Sequence, residues 1–424
     1  MNWKKWISIA AAVCLAVTAV PMRAVAQEEL VQEKMLEEIK EEIKEEIKEE
    51  LKEEPKEEKE EKEEKEEKEE KEEKEELQEQ SDEKIEPQEK SKKELLKGIS
   101  LLMEEENSTV VSENEAADFA GVGTAANPYK IQNVEDLKKL AENVNNGERY
   151  ANKHFQLTAN IDLKNEEWTP IGTEDTHFQG TFDGGGHQIT NLKIGKREYG
   201  GLFGNVWGAT IQNCNVTGEV NGYNYSGGIV GYANDNTHIL NCSFQGNVKG
   251  NGQDRGGIVG STSIGCDVSG CFVTGTVTGG NCVGGIAGNG VGTIKNCYAL
   301  ADVTAGGDSA GGIAGYAYGI TIENCYYSGK VSSNGNAGGI AGIARNSGIQ
   351  NCVSLAERVT GVWQVNRIAG GNHSATLTNN YAWNGTKING NPVSADDAAG
   401  VNGADLTYTK RRTFSAVLRN FRRE

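Results

Sequence analysis

The chain has 424 residues, 54 glycines and a formal net charge of −19. The charge is unevenly distributed, because residues 28–118 carry 39 acidic and 17 basic side chains whereas the residues from 119 onward carry 23 of each. A neutral, glycine-rich body has no basic surface for nucleic acid, and the acidic segment would repel it, so these counts argue against a nucleic-acid partner.

The first 26 residues have the pattern of a secretory signal peptide. MNWKKW is a positively charged start, Ile7 to Val20 form an apolar run, and Ala24 to Ala26 give a small-residue cleavage site. The run is shorter than the about 20 residues that a membrane span needs. We therefore expect export, no transmembrane segment after cleavage, and a secreted or extracellular cell-surface protein.

Residues 27–118 form a low-complexity stalk rich in Glu and Lys. EEIKEEIKEEIKEELKEE and KEEKEEKEE place Glu and Lys four residues apart, which supports a helix weakly. Ile43, Ile47 and Leu51 make only a thin apolar stripe, less than a coiled coil requires, and Pro55 and Pro87 interrupt a helix. A partly helical spacer and a disordered one both fit this composition.

Residues 119–199 read as a lead-in to a repeated region. Asn133 is a candidate N-cap for an amphipathic helix over 134–145, and Gly147 is a candidate stop. Because an open strand edge aggregates, this helix is expected to cap the first turn of the body. HFQLTANIDL, WTPIG and FQGTFDGGGHQITNLKI then have the pattern of short strands.

Residues 200–390 repeat one unit about every 28 residues. Each copy begins with a GG-[IL]-x-G segment, as in GGIVG at 227–231, and continues with a segment such as ILNC ending at Cys242. Three short apolar runs per copy, bordered by Gly, Asn, Asp and Ser, predict three strands joined by bends. The fold expected is therefore all-β, a right-handed parallel β-helix, with residues 391–424 as its C-terminal cap and basic tail.

A bend is predicted inside every repeat, next to a cysteine. An aliphatic residue stands three positions before each Cys position, and an odd separation would place one of the two outside if the strand were straight. Asn tolerates left-handed backbone geometry, so it is expected to turn the chain and to stack its amides into a ladder while Cys re-enters the core. Gly270 and Asn380 are assigned to the bend position in the two irregular copies. The predicted ladder consists of Asn213, Asn241, Asn296, Asn324 and Asn351 with Cys214, Cys242, Cys271, Cys297, Cys325 and Cys352.

Two redox states are open for these cysteines. Export favours disulfides, but stacked side chains would hold their β-carbons about 4.8 Å apart, farther than a disulfide prefers, so a reduced buried stack is favoured. Cys266 and Cys282 lie off the ladder and could pair with each other. No C-x-x-C pair or His cluster indicates a metal, and no cofactor is predicted.

The repeated GG-[IL]-x-G and I-x-N-C segments, with the preceding NPYKIQNVEDLKKLAENVN and FQGTFDGGGHQITNLKI, resemble the GLUG motif repeats of bacterial surface proteins. The resemblance covers about residues 119–410. It implies an extracellular β-helical module of the kind used in adhesins and in immunoglobulin A-cleaving metallopeptidases. The basic ending after GADLTYTK departs from the pattern of the family.

The sequence gives little support for catalysis. The five His residues include no H-E-x-x-H pair, so the peptidase activity of larger relatives does not carry over. GTFDGGGHQI lacks the ending of a phosphate loop. A polysaccharide lyase or hydrolase would need converging acids, whereas the adjacent acid–base pair Asp254-Arg255 reads as a solvated bend. Other acids of the repeats are scattered: Glu219, Asp235, Asp267, Asp302, Asp308 and Glu323.

Binding is the favoured function. Phe272, Tyr298 and Tyr326 follow the Cys in three consecutive copies and would form an outward aromatic stripe suited to sugar rings or protein contacts; cross-turn stacking or inward packing is the structural alternative. Tyr223, Tyr225 and Tyr232 form a second, weaker patch. We expect an adhesin-like module that recognises a host or cell-envelope glycan or protein. The alternatives are a non-binding structural spacer and a carbohydrate-active β-helix.

Overall fold

The computed structural model describes residues 119–395 and 397–406. The expected signal peptide, the stalk and residues 407–424 of the expected basic tail lie outside the described residues. Within the described part, three sheets wind into a parallel β-solenoid of about nine turns, which confirms the predicted fold class. At about 4.8 Å a turn, the solenoid is about 43 Å long.

Sheet 1 has 15 strands, and these form two zones along each turn. The strands of the zone nearer the Asn–Cys bend are Tyr129–Ile131, His154–Leu157, Thr181–Asp183, Thr210–Gln212, His238–Leu240, Asp267–Ser269, Gly348–Gln350 and Thr376–Thr378. Those of the other zone are Phe203–Trp207, Val230–Asn234, Val259–Thr262, Ala341–Arg345 and Ala369–His373. Ala287–Lys295 and Ala314–Glu323 run through both zones.

Sheet 2 follows the Asn–Cys bend. Its strands are Ile161–Asp162, Gln188–Ile194, Asn215–Asn221, Ser243–Lys249, Phe272–Gly279, Tyr298–Ala305, Tyr326–Ser328, Lys330–Ser333, Val353–Ser354, Arg358–Thr360, Tyr381–Trp383, Lys387–Ile388, Asn391–Pro392 and Ala404–Leu406. Sheet 3 closes each turn and consists of Arg255–Gly256, Cys282–Gly284, Ser309–Gly311, Asn336–Gly338 and Val365–Asn366.

The core runs along the axis as stacked rows of aliphatic side chains. The row three residues before the Cys position is in register from turn to turn: Ile211, Ile239, Val268, Ile294, Ile322, Ile349 and Leu377. Each of these side chains is buried. Because every turn places the same chemical type on the same line, the repeat in the sequence becomes a continuous core that no single turn could bury alone.

Among the described residues, helix α1 (Val134–Asn145) follows the first strand of sheet 1, Tyr129–Ile131. The Asn133 side chain accepts a hydrogen bond from the Asp136 backbone N–H at 3.0 Å, and the Asp136 carboxylate accepts one from the Gln132 N–H at 2.8 Å. Leu137, Leu140, Ala141 and Val144 are buried in the same core as the strands. The predicted helix and its N-cap are thus where the sequence pattern indicated.

The last turn is closed by the degenerate seventh repeat, NRIAG. Arg367 occupies the place of the second glycine of the motif and is fully buried. Its guanidinium donates to the Asp405 carboxylate at 2.6 Å and to the carbonyls of Gly403 at 3.0 Å and Val393 at 3.2 Å. The backbone N–H of Ile368 donates to the Val401 carbonyl at 3.0 Å. A buried, fully paired arginine therefore fastens residues 391–406 across the end of the solenoid.

Within the described residues, none of the helices combines the length and hydrophobicity that crossing a membrane requires.

Candidate binding surfaces

The Asn–Cys bend sets the directions of the side chains around it. Asn213, Asn241, Asn296, Asn324 and Asn351 have φ between 51° and 55°, and Gly270 has φ 65°. In this left-handed conformation the chain turns between the buried aliphatic residue and the buried Cys, so both point inward. The residue after each Cys then points outward on sheet 2.

The seventh copy corrects one position of the expected ladder. Asn379, with φ 52°, makes the bend, and Asn380 takes the place of the cysteine in the interior. The Asn380 side chain accepts from the Cys352 N–H at 3.0 Å and donates to the Ile349 carbonyl at 2.8 Å. A buried amide replaces the thiol there because both of its polar ends find backbone partners.

The asparagine amides bond in adjacent pairs. Asn324 Nδ2 donates to Asn296 Oδ1 at 3.3 Å, and Asn379 Nδ2 donates to Asn351 Oδ1 at 3.4 Å. Asn213 Nδ2 donates instead to the Asp183 carboxylate at 3.0 Å. Gly270 has no side-chain amide that could bond to Asn241, so the ladder is interrupted in the middle of the solenoid.

The eight described cysteines are all free thiols. On the ladder, the thiols from Cys242 to Cys352 donate to main-chain oxygens; Cys297 Sγ, for example, donates to the Lys295 carbonyl at 3.2 Å. Burial raises the pKa of Cys214 to about 12. Cys266 donates to the Ala233 carbonyl, whereas Cys282 belongs to sheet 3, where burial raises its pKa to about 12. The pairing left open for Cys266 and Cys282 is therefore not formed, and their raised pKa values keep both thiols protonated and poorly nucleophilic at neutral pH.

The expected aromatic stripe on sheet 2 has correct register but incomplete exposure. Phe272, Tyr298 and Tyr326 occupy one cross-turn row, and the rings of Phe272 and Tyr298 stack at 5.1 Å and 2°. Phe272 and Tyr298 are half-buried, but Tyr326 is only 7% exposed because it packs with Leu355 and Leu406 in a cluster outside the interior core. The expectation of an open three-ring stripe is therefore corrected at Tyr326.

A second surface lies where sheet 3 turns into sheet 1. The GG-[IL]-x-G segment makes this corner, and its last glycine lies against the backbone of the preceding turn. At Gly288 a β-carbon would lie 2.2 Å from the Arg255 backbone nitrogen. Only glycine permits this approach, so the motif brings outward side chains of sheets 3 and 1 close together across the corner.

Three tyrosines meet at this corner. Tyr199 and Tyr225 stack at 5.4 Å and 16°, and Tyr225 contacts Tyr232 at 5.3 Å. All three are half-buried, and neighbouring Tyr223 is 54% exposed. The expected patch of Tyr223, Tyr225 and Tyr232 lacked Tyr199. That residue belongs to the preceding turn, and the corner places it beside Tyr225.

The tyrosines continue into a wider surface on sheet 1. Asn205 lies beside Tyr232 in register, and Trp207 lies beside Asn234. Asn234 Nδ2 donates to Asn205 Oδ1 at 2.9 Å, and Trp207, 43% exposed, stacks on His177 at 5.2 Å. We call Tyr199, Tyr225, Tyr232, Asn234, Trp207 and His177 the aromatic face. It combines ring surfaces with hydroxyl and amide groups over neighbouring turns.

Charged groups of both signs lie near the aromatic face. Burial, followed by the charges of Glu174 and Glu198, raises the pKa of Tyr199, so its phenol stays protonated at neutral pH and can donate a hydrogen bond. Burial likewise raises the pKa of Tyr225 and of Tyr232, whereas burial, followed by the charge of Arg149, lowers the pKa of His177. Carboxylates therefore lie near the tyrosines of this surface, and Arg149 lies near His177.

The pair Asp254-Arg255 is not the solvated bend that the sequence suggested. Arg255 is fully buried, and its guanidinium donates to the carbonyls of Gly222 at 2.9 Å, Tyr223 and Gly252. Burial lowers the pKa of Arg255 to about 10 and raises that of Asp254, which accepts from Asn289 Nδ2 at 3.4 Å. The pair reinforces the floor of the corner, because the guanidinium bonds the backbone of the loop that carries Tyr223.

Other acids of the repeats form ion pairs between turns. Lys249 contacts Glu219 at 3.0 Å, Lys295 contacts Asp267 at 3.3 Å, and Lys330 contacts Asp302 at 3.7 Å. These are exposed pairs of the kind that contribute about 0–1 kcal/mol each. Among the described residues, no group of three or more His, Cys, Asp and Glu side chains is placed to hold a metal ion.

Comparison with known proteins agrees with this architecture. The family described as "The GLUG motif" matches residues 222–249 and 306–332. The "Halomucin" of Haloquadratum walsbyi is 32% identical over 168 residues, which are 35% of this chain and 2% of that protein. The "Putative Gly-rich membrane protein" of Evansella cellulosilytica is 36% identical over 121 residues, 26% of this chain and 13% of that protein. The chain thus matches only a small part of either relative.

A solved structure shares the fold. The crystal structure titled as that of a "putative immunoglobulin A1 protease" from Bacteroides ovatus aligns with a TM-score of 0.50 and 24% identity, over 70% of this chain and 88% of that chain. At this identity the likeness concerns the fold alone. These comparisons support a surface protein and indicate no catalytic family. The chain is thus a β-helical protein that carries repeats matching the GLUG motif.

Proposed function

We propose that this chain is an exported, adhesin-like surface protein whose aromatic face binds a neutral glycan of a host or of a cell envelope. The observation that carries the proposal is the grouping of Tyr225, Tyr232 and Trp207 around the Asn205–Asn234 amide pair. Aromatic rings cover the apolar faces of sugars, and hydroxyl and amide groups bond their hydroxyls. Rings with such polar neighbours suit a sugar better than a purely apolar partner.

The charge of the surroundings narrows the ligand class. Beyond the effect of burial, the charges of Glu174 and Glu198 raise the pKa of Tyr199, and the charge of Asp254 raises the pKa of Tyr225. Carboxylates accept hydrogen bonds from sugar hydroxyls but repel acidic groups on a ligand. A neutral glycan is therefore favoured over a sialylated or sulfated one.

Sheet 2 is the less favourable place for a ligand. Its aromatic row loses Tyr326 to a hydrophobic cluster, and Phe272 and Tyr298 stack on each other at 5.1 Å. Of the three predicted rings, Phe272 and Tyr298 remain half-buried at the surface, with Ser243 next in the row. A variant of this row is a matched control, since it removes the same number of aromatic rings from another face.

The test is binding of the full-length chain to immobilised neutral glycans, acidic glycans, mucins and matrix proteins. The double variant Trp207→Ala/Tyr232→Ala should weaken binding to neutral glycans about tenfold, since each lost ring contact is worth about 0.5–1.5 kcal/mol. Phe272→Ala/Tyr298→Ala should leave it unchanged. Circular dichroism of both variants checks that the fold is kept.

Other results would overturn the proposal in different ways. A loss confined to Phe272→Ala/Tyr298→Ala would move the site to sheet 2. Binding to matrix proteins alone would make the ligand a protein. An absence of binding across the panel would favour the structural spacer.

A further inference from the structure

The aromatic face continues along the corner between sheets 3 and 1 as a line of positions in register. On sheet 1 this row takes one residue from each turn: Asn205, Tyr232, Ser261, Asn289, Tyr316 and Ile343. Ala233, Ala317 and Ala344, which follow three of these residues in the chain, are buried in the core. Because neighbouring residues of a strand point to opposite sides, the row itself points outward.

The corner is concave from the aromatic face to the last turns, since side chains of sheet 3 meet this row from the other side. The contact between tyrosines shows this at the aromatic face. In the middle, the Asp254 carboxylate accepts a hydrogen bond from Asn289 Nδ2 at 3.4 Å. Farther along, a β-carbon on Gly371, the next position of the row, would lie 2.8 Å from Gln364 Oε1. We call the surface along this row the corner groove; it runs parallel to the solenoid axis.

The middle of the corner groove is low and polar. Ser261 is buried although its row points outward, and Asp254 is buried beside it. Between Tyr232 and Tyr316 the row contains only Ser261 and Asn289, whose side chains are smaller than a tyrosine ring. The groove is therefore shallower at its two ends, where the rings stand, than between them.

A second pair of aromatic rings stands at the far end. The rings of Tyr316 and Tyr318 stack at 6.4 Å and 7°, and Tyr318 is 47% exposed. Arg345 and His373 follow Tyr318 in its row and offer further hydrogen-bond donors. We call Tyr316 and Tyr318 the distal pair. Tyr316 lies three turns from Tyr232, a separation of about 14 Å.

We propose that the corner groove binds an extended stretch of a linear neutral glycan along the solenoid axis, with the aromatic face at one end and the distal pair at the other. The inference rests on the proposed glycan function, to which it adds a second group of rings and a linear ligand. Rings cover the sugar faces at both ends, and the Asn289 amide bonds hydroxyls between them. A chain that reaches both ring groups gains from two linked contacts, whereas a short sugar reaches one.

A peptide is the less suitable occupant of the corner groove. Extended peptides are commonly bound as an added strand on a free sheet edge. Here the strands that carry Ser261, Asn289 and Tyr316 are already paired with those of the neighbouring turns. Recognition therefore has to come from side chains, and these are rings and polar groups.

The test is how affinity depends on ligand length, measured by titration calorimetry on the full-length chain. The probes are β-1,4-linked oligomers of N-acetylglucosamine and of glucose, from two to eight units. In the parent chain, the longest oligomer of at least one series should bind about a hundredfold more tightly than the shortest. In Tyr316→Ala/Tyr318→Ala this ratio should fall about tenfold, because two ring contacts are lost. Phe272→Ala/Tyr298→Ala removes the same number of rings from sheet 2 and should keep the parent ratio.

The outcomes distinguish this inference from the proposed function. An unchanged ratio in Tyr316→Ala/Tyr318→Ala, with binding still weakened in Trp207→Ala/Tyr232→Ala, would overturn the linear site and leave the aromatic face as the binding site. So would an absence of binding to every oligomer when other neutral glycans bind. Binding to matrix proteins alone would overturn both. Circular dichroism checks the fold of each variant, and if the distal double variant fails to fold, Tyr318→Ala, which removes an exposed ring, provides the same comparison.

Discussion

At the scale of single residues, the asparagine of each repeat acts through its backbone. A left-handed conformation costs an ordinary residue about 1 kcal/mol or more, and Asn and Gly adopt it most readily. Asn296, with φ 55°, also accepts the amide of Asn324 at 3.3 Å. The two contributions can be separated by substituting glycine, which keeps the left-handed backbone conformation but loses the side-chain hydrogen bond.

We predict that Asn296→Ala lowers the free energy of unfolding by about 1 kcal/mol through the strained backbone. Asn296→Gly should cost clearly less, since glycine accepts the same φ without a β-carbon. Urea denaturation followed by circular dichroism measures both. Equal losses in the two variants would instead assign the effect to the amide ladder.

Residue patterns predicted the bend but not the exceptions to it. The spacing of Ile and Cys required a turn, and the identity of Asn indicated its geometry. Asp254 and Arg255 were misjudged because adjacent charges are usually solvated. Their burial depends on carbonyls of Gly222 and Tyr223, which only the stacking of turns brings to the guanidinium.

At the scale of elements, the corner between sheets 3 and 1 explains the most regular part of the repeat. The last glycine of each GG-[IL]-x-G segment packs on the backbone of an earlier turn; a β-carbon at Gly315 would lie 2.4 Å from the Val283 nitrogen. Main-chain atoms cannot move aside as a flexible side chain can, so the requirement for glycine is steric.

Gly288→Ala should therefore destabilise the solenoid by about 3 kcal/mol, a cost typical of an overpacked interior. Gly348→Ala is the matched control, because Gly348 has no left-handed φ and its β-carbon would meet nothing within 4 Å. That variant should be neutral or stabilising by about 0.5 kcal/mol. Thermal unfolding compares the two, and similar melting temperatures would mean that the corner has room for a methyl group.

The elements themselves were largely predictable. Helix α1 followed from its N-cap and apolar spacing, and the strands followed from short apolar runs between bends. The aromatic face was harder to predict from the sequence, since Tyr199, Tyr232 and Trp207 come from different turns and different parts of the repeat. Their proximity depends on the register between turns, which the repeat length implies only approximately.

At the scale of the whole molecule, the solenoid is a stack in which each turn contacts mainly its neighbours. The register shows this, since Val283 pairs with Ala310 and Gly284 with Gly311, one turn later. In such a stack, stability is close to a sum of terms for single turns and for the interfaces between them. A complete turn can then be removed while the remaining turns still stack in register.

Deletion of residues 284–310 tests this view, because it joins Val283 to Gly311 and so restores the register. We expect a folded β-solenoid with lower stability and with the aromatic face intact, since that face lies in earlier turns. Deletion of residues 284–297 removes only part of a turn and would bring Tyr298 of sheet 2 to a position in sheet 3. Far-UV circular dichroism and the cooperativity of urea unfolding distinguish the two. If the full-turn deletion unfolds as readily as the partial one, stability depends on contacts beyond neighbouring turns, and the additive description does not apply to this chain.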